Sequence, residues 1–373
     1  MNLLITNYHP HGGGGHTTYI LSLAKNLRKH GIIPIVACPD SSRLYSLMAR
    51  EGLKVIACDF PNKLKEMRGV ARAVKNMRLI IRDNHIDLVH VNGSPDHWIL
   101  AYYKVLFGSD IPVIRTRHGM QHVPDSLAAK FMNGLISATI TVCDAQQKIY
   151  SGQRAFRGHR IFVIPNGVDH RHFSPRPASN EIREKYGIKD GDLVIGSTAG
   201  IAWYKGVPEF LTAAAPVIKN KRFIKIMLVG GSNPENPYRA LTDRLGISEN
   251  IIFTGFQTDV REYISVFDIG FVFSKSVETI SYAAREMMMM GKPVIVSDFG
   301  GLPENITDGV DGFVIKGMDV KLLADTLHKI SNNRDLAAEL GRKARQKAEA
   351  AFKEDDFLES TAAAYENCLS NMQ

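Results

Sequence analysis

The stretch Ser276-Val277-Glu278-Thr279-Ile280-Ser281-Tyr282-Ala283-Ala284-Arg285-Glu286 runs on through a methionine-rich segment into Gly291-Lys292-Pro293-Val294-Ile295-Val296-Ser297-Asp298-Phe299-Gly300-Gly301-Leu302-Pro303-Glu304. It reads as a helix, a Gly-Lys-Pro break, a β-branched strand and a glycine loop, which is one repeat of a parallel α/β sheet. Two glutamates stand eight positions apart, at 278 and 286. On a helix that spacing rises about 12 Å. It is too long for two carboxyls flanking one glycosidic bond, which sit about 5–10 Å apart. It suits two ends of one extended ligand. Met287–Met290 falls on helix positions and reads as core packing.

The same alternation extends in both directions. Leu3–Thr6 is a first strand, His11-Gly12-Gly13-Gly14-Gly15-His16 a glycine loop, Thr17–His30 an amphipathic helix closed by Gly31, and Ile32–Cys38 a second strand. Further strands are expected at Val55–Ala57, Leu88–Val91, Val113–Arg115, Ala138–Val142 and Ile161–Ile164. After Asp190 the pattern restarts, with strands at Leu193–Thr198, Ile224–Val229, Ile251–Thr254, Ile269–Phe273, Pro293–Ser297 and Phe313–Ile315. This gives an α/β protein of two doubly wound domains, and 373 residues are enough for both. The connection from Pro165-Asn166-Gly167 to Pro175-Arg176-Pro177 has the composition of a boundary. From Val320 the pattern is helical, and a polar break at Lys353–Asp356 precedes a last helix.

Composition excludes several classes. Apolar residues make up 45% of the chain, yet no apolar run is long enough to span a bilayer. The N-terminus lacks the basic region of a signal peptide. Cys38, Cys58, Cys143 and Cys368 show no CxxC spacing, which argues against a zinc site or a disulfide framework and for a reducing, cytoplasmic setting. The net charge of +8 is uneven: residues 1–167 hold 21 Lys and Arg against 10 Asp and Glu, and the remainder 25 against 28. A basic first half calls for an anionic partner: nucleic acid, anionic lipid or a phosphorylated acceptor.

The glutamate spacing, followed in order by Gly-Lys-Pro-Val and Gly-Gly-Leu-Pro-Glu, resembles the E-x7-E signature of the retaining glycosyltransferases of family 4. Other segments carry the likeness through most of the chain: Ile161-Phe162-Val163-Ile164-Pro165-Asn166-Gly167-Val168-Asp169 with Phe173 and Pro175, Lys205-Gly206, Leu228-Val229-Gly230-Gly231, and Ile252-Phe253-Thr254-Gly255-Phe256 with Asp268. The resemblance implies the GT-B fold, two Rossmann-like domains facing across a cleft. It sets an acceptor-side domain at 1–167, completed by the last helix at 357–373, and a nucleotide-sugar domain at 168–356. It implies a retaining, metal-independent hexosyl transfer from a nucleotide-diphosphate sugar to a glycan or glycolipid, as in bacterial cell-surface polysaccharide or lipopolysaccharide synthesis. The donor is then a substrate, and no cofactor is expected. A nucleotide-sugar 2-epimerase of the same fold, or a non-catalytic nucleotide-sugar- or membrane-binding homologue, are the alternatives.

Residue by residue, the resemblance makes Glu286 the partner of the ribose hydroxyls and sets Glu278 against the donor sugar. The amides of Thr279 and Ile280, at a helix N-terminus, meet sugar or phosphate. Most members have Phe-Gly at those two positions, so a β-branched Ile280 narrows the space there. Lys205 matches the phosphate-binding lysine. The arginine that usually precedes it is missing, since Ala199, Gly200 and Ala202 stand there; Arg117 and Arg285 are candidate substitutes. Backbone groups around Phe256 are implied to read the base. Gly13 and Gly14 fit a tight turn when taken alone, and in the family face the diphosphate and acceptor. His118, in Arg115-Thr116-Arg117-His118-Gly119, is on its own a polar residue at a strand end; by resemblance it borders the donor sugar and the reacting centre. Arg115 and Arg117 alternate, so one is expected to point inward and the other to solvent.

Two further features are read without the family. Asp190-Gly191-Asp192 spells a D-x-D metal–nucleotide motif of another fold, but its polar setting before a strand reads as a turn, and no metal is expected. Lys63–Arg82 carries Lys65, Arg68, Arg72, Lys75, Arg78 and Arg82 at steps of three and four beside an apolar stripe of Met67, Val70, Val74, Met77 and Ile81. This basic amphipathic helix is either a solvated cover for the sheet or a docking face for anionic lipid. Without interleaved aromatics it does not suit nucleic acid.

Overall fold

The structure is a computed structural model, and it describes residues 1–10, 14–61, 67–231 and 237–370. The chain divides into two compact units: Met1–Asn166 together with the last helix, Glu354–Ser370, and Gly167–Lys353.

The first unit is built on seven parallel strands: β1 Asn2–Thr6, β2 Ile33–Cys38, β3 Val55–Ala57, β4 Leu88–Val91, β5 Val113–Arg117, β6 Ala138–Thr141 and β7 Ile161–Val163. Their order is β3-β2-β1-β4-β5-β6-β7, so the winding reverses between β1 and β4. Leu4, Ile35, Val89 and Val91 project to a core closed by Val74, Met77 and Ile81 of helix Met67–Asp83 and by Ile99 and Leu100 of helix Ser94–Phe107. The last helix is tied to this unit by Tyr365, whose hydroxyl lies 2.7 Å from His90 Nδ1, and by Phe357, whose ring is 5.2 Å from that of Tyr19.

The second unit has six parallel strands: β8 Leu193–Ser197, β9 Ile224–Val229, β10 Ile251–Gly255, β11 Ile269–Val272, β12 Val294–Ser297 and β13 Gly312–Ile315. The order is β10-β9-β8-β11-β12-β13, with the reversal between β8 and β11. Both sheet faces are apolar, as a doubly covered sheet requires. Leu193 and Ile195 enter one core with Phe210 and Phe271, whose rings stack at 3.8 Å; Val194 enters the other with Met287–Met290. The methionine run is thus fully buried packing, so close to the sheet that a Cβ on Gly270 would stand 2.5 Å from Met287 Sδ.

The stretch that opened the reading folds differently from the expectation in one respect. Its helix is Tyr282–Met289, capped by Ser281 Oγ accepting from Ala284 N at 3.4 Å. Glu278, Thr279 and Ile280 precede it in a loop with positive φ at Val277 (58°) and Ser281 (61°). Only Glu286 is on the helix, so the 12 Å rise does not apply. The β-branched and hydroxylated residues at 277–281 favour extended or turn backbone, Ser281 is a natural cap, and the loop is held from the segment after β12. Asp190-Gly191-Asp192 is a turn, with Gly191 at φ 90° and Lys189 N donating to Asp192 Oδ2 at 2.8 Å. From Gly167 onward the connecting segment is held as structure in the second unit: Val168 N donates to Phe352 O at 2.8 Å, and Arg345 Nη1 to Phe173 O at 2.9 Å.

Candidate functional site

In open parallel sheets, ligands bind beyond the carboxyl ends of the strands, where the winding reverses. Each unit has such a point, and the chemistry-bearing residues gather at both.

In the second unit the loops after β8 and β11 meet. Lys205 Nζ donates to Glu278 Oε2 at 2.7 Å, and Ser274 Oγ donates to the same oxygen at 3.0 Å. Glycines make the meeting possible. Gly206 has φ 68°, and a Cβ there would stand 1.9 Å from Phe273 O, so the Lys-Gly pair lies directly on the end of β11. Gly300, at φ 61°, brings the loop after β12 against Glu278, where a Cβ would stand 2.4 Å from the carbonyl oxygen. Gly301 N then donates to Thr279 O at 2.7 Å, and Asn305 Nδ2 to Ile280 O at 2.7 Å. The Gly-Gly-Leu-Pro-Glu segment is therefore a clamp on the Glu278 loop.

Two expectations are corrected here. Thr279 and Ile280 are not at a helix N-terminus. Their N–H groups nevertheless find no hydrogen-bond partner among the described residues, and Ile280 turns its side chain into the core at 1% exposure. Arg285 does not substitute for the missing arginine. It is buried, its Nε donates to Asn305 Oδ1 at 2.8 Å, and its guanidinium lies 4.0 Å from the Phe352 ring centroid, a bracing role. Lys275, which the sequence reading passed over, supplies a second cation beside the Lys205 turn: its N donates to Tyr204 O at 2.9 Å, and its Nζ pairs with Glu209 and lies 5.3 Å from the Trp203 ring. Glu286 is partly buried without an ion pair among the described residues, and burial pushes its carboxyl up to about 7. Phe256 is 55% exposed at the end of β10.

In the first unit the reversal point is occupied by histidines. His118 follows β5, Asn92 follows β4, and His9 and His16 follow β1. Asn92 Nδ2 donates to Thr6 O at 3.1 Å, so its Oδ1 accepts from His118 Nε2 at 2.9 Å. This fixes the His118 tautomer and leaves Nδ1 as an acceptor. The His118 ring lies 4.2 Å from that of His16, and His16 Nδ1 is 3.1 Å from His9 Nε2. Burial holds His118 well below the usual histidine range, helped by neighbouring histidines, and brings His16 down to about 4. The cluster is neutral at pH 7. His9, His16 and Asn92 escaped the sequence reading because the signal is three strand ends converging in space.

Gly14 is the extended N-cap of helix Gly15–Asn26, and Gly13 lies outside the described residues. Neither Arg115 nor Arg117 points to solvent as alternation suggested. Arg115 is buried against His97 Nδ1 (2.7 Å) and Ser94 Oγ (2.9 Å), and burial and then Arg117 lower its pKa to about 9. Arg117 lies 4.9 Å from the rings of both Tyr150 and Phe156 and so is not a free phosphate ligand. On helix Met67–Asp83, Arg68, Arg72, Lys75, Arg78 and Arg82 are all exposed; Lys65 lies outside the described residues. Among the described residues no group of three or more His, Cys, Asp or Glu could hold a metal ion, and no helix is long and apolar enough to cross a membrane.

Comparison with known proteins agrees with this architecture. Residues 13–172 match the family model Glycosyltransferase Family 4, and residues 178–347 match Glycosyl transferases group 1. The N-acetyl-alpha-D-glucosaminyl L-malate synthase of Bacillus anthracis is 23% identical over 306 residues, 80% of this chain and 79% of that protein. A glycosyltransferase of Rickettsia africae superposes with a TM-score of 0.85 at 21% identity, covering 99% of each chain. The Anabaena protein HepE, in complex with UDP, superposes at 0.82 and 20% identity, over 98% of this chain and 100% of that one. Two adjoining family matches and a shared GT-B fold make this chain a glycosyltransferase of the family-4 type.

Proposed function

We propose that the protein transfers a hexosyl group from a nucleoside-diphosphate sugar to a hydroxyl of a glycan or glycolipid, with retention of anomeric configuration and without a metal. The observation that carries this is the Lys205–Glu278 pair at the reversal point of the second sheet, flanked by the N–H groups of Thr279 and Ile280. A departing diphosphate needs positive charge at its oxygens, and a fixed ammonium with backbone donors supplies it. Lys205 then exchanges Glu278 for phosphate, and the released Glu278 accepts from a donor-sugar hydroxyl. Glu286, as carboxylate, accepts from the ribose, and Phe256 marks the base end. The bond from the anomeric carbon to the diphosphate breaks, the acceptor oxygen bonds from the same side, and its proton passes to the leaving diphosphate. Neutral His118 offers Nδ1 to a sugar hydroxyl. The complex of HepE with UDP and the sugar-transfer name of the Bacillus anthracis relative fit this reading. Cell-surface glycan synthesis is the setting we assign to it.

The first test is a thermal-shift screen with UDP, GDP, ADP and CMP and their common sugars, with and without EDTA. A shift with one nucleoside diphosphate, unchanged by EDTA, is expected; no shift with any overturns the reading. Retention is then checked by NMR of the product anomer.

A membrane surface is favoured as the place of action by one further observation. Helix Met67–Asp83, with its exposed cations, shares a core with helix Ser94–Phe107, which exposes Trp98 (40%), Val105 (57%), Leu106 (68%) and Phe107 (41%), and Arg78 lies 4.4 Å from the Phe107 ring. Exposed apolar groups beside cations fit the interface of an anionic bilayer. Anionic liposomes should sediment the protein at low salt and release it at high salt. Failure to sediment at low salt removes this reading.

A further inference from the structure

The first unit holds a cavity of about 490 Å³ that the donor chemistry does not use. This is within the range of about 300–1,000 Å³ usual for small-molecule sites. It opens at the carboxyl ends of β1, β2 and β3, between Tyr8, Asp40 and the segment Ala57–Pro61, with Arg72 and Asn76 of helix Met67–Asp83 on its rim. Apolar contact comes from Tyr8, Pro39 and Phe60. The polar groups are Asp40, Asp59, Arg72 and Asn76. Among the described residues none of these four side chains has a hydrogen-bond partner or an ion pair within 4.0 Å, although two are carboxylates and one is a guanidinium. All four are exposed to solvent and line one open cavity, where a ligand would displace water from them.

The charge balance is informative. The first half of the chain is strongly basic, yet the described wall of this cavity carries two carboxylates against one guanidinium. A phosphate or uronate placed here would face both carboxylates with one cation to offset them. A neutral polyol meets the set directly: its hydroxyl protons go to Asp40 and Asp59, its oxygens accept from Arg72 and Asn76, and its carbon face lies on the apolar wall. The site is also linked to the reversal point. Tyr8 packs on Gly93, where a Cβ would stand 2.2 Å from its ring, and its ring centroid is 4.0 Å from that of His9, the first member of the histidine set.

We infer that this cavity binds an uncharged sugar residue of the acceptor, and that Asp40 and Asp59 make it select against acceptors bearing phosphate or carboxylate on that residue. The inference deepens the transferase reading and rests on it for the word acceptor; the binding itself does not depend on catalysis. Arg72 is thereby a ligand of the cavity rather than part of the lipid-docking face.

The test is saturation-transfer NMR on the full chain with the methyl glycosides of glucose, galactose and mannose, beside glucuronic acid and glucose 6-phosphate. At least one neutral glycoside should give a signal several-fold stronger than either acid. The Asp40→Asn/Asp59→Asn double variant should reduce that signal at least fivefold, and a melting curve shows whether it is folded. Arg72→Ala provides a second reduction from a different element if the double variant does not fold. Equal or stronger signals from the acids, no signal from any neutral glycoside, or unchanged signals in the folded variants overturn the assignment. The wild-type thermal shift with nucleoside diphosphates is read separately. If it is present while the sugar arm fails, only the cavity assignment falls; if it is absent, the transferase reading falls whatever the sugars do.

Discussion

The two winding-reversal points are built from the same parallel-sheet geometry and filled with opposite chemistry. In the second unit the point is charged: Lys205 and Glu278 form an ion pair held by Ser274 and by the close approaches at Gly206 and Gly300. In the first unit it is neutral: His9, His16 and His118 are packed ring on ring, with their charged forms suppressed by burial. The fold fixes only where side chains converge; the residues at the strand ends decide what is bound. A charged pair can release its cation to a diphosphate. A neutral histidine set offers hydrogen-bond acceptors to hydroxyls without attracting anions.

The comparison breaks most decisively at Lys205. Lys205→Ala should lower transfer about 10²–10³-fold, since removing one preorganised donor at a developing anion costs that much. A residual rate near wild type would mean Lys275 carries the charge instead. Next is the close packing: Gly206→Ala, with positive φ and a Cβ in contact with Phe273 O, should destabilise the second unit by about 2–4 kcal/mol, read as a shift in the denaturant midpoint.

The pH responses sharpen the contrast because they have opposite signs. Glu286 has its pKa raised by burial to about 7, so its protonated form is favoured in the fold. As pH rises from about 4.5 through 7 its ionisation costs stability; as pH falls below 7 the carboxylate needed for the ribose is lost. Nucleoside-diphosphate affinity should therefore weaken towards tenfold per pH unit below 7, and Glu286→Gln should be weak and pH-independent. His90 has its pKa lowered by burial to about 3. It contributes stability above the usual histidine range, and that contribution is lost as pH falls from about 6.5 towards 3. Acid should thus unfold the first unit while relieving Glu286, visible as separate histidine and glutamate titrations by NMR. A His118 titration near 6.5 would end the claim that its cluster is neutral by burial.

The smallest effect is expected at the last helix. Tyr365→Phe leaves His90 Nδ1, fully buried, without its 2.7 Å partner and should cost about 1–3 kcal/mol. A neutral result would show that the helix is held by Phe357 and its apolar neighbours alone.

Much of this architecture was legible in one sequence. The thirteen strands of the described residues fall where apolar runs and glycine breaks suggested, because a buried parallel strand is a nearly continuous apolar run that periodicity detects. The Gly206 and Gly300 positions were readable as motif glycines, but the atoms they must avoid were not. The error over Thr279 and Ile280 arose because helix onset depends on a cap at Ser281 and on a clamp by Gly301 and Asn305, about twenty residues downstream. The arginines were misjudged for a related reason. Arg117 and Arg285 look like phosphate ligands in a sequence, and only packing reveals that one is spent on aromatic rings and the other on an asparagine, as Arg115 beside them is on a histidine.

What the sequence determined by itself was the alternation of elements in two parallel α/β sheets, since this depends on local spacing and residue type. What only the tertiary structure decided was which side chains meet. The Lys205–Glu278 pair joins residues 73 positions apart, the His118 set joins three strand ends, and the cavity of Asp40, Asp59 and Arg72 joins three more elements. Contact across a parallel sheet is set by strand order, and strand order is a property of the whole chain's packing that no local pattern encodes.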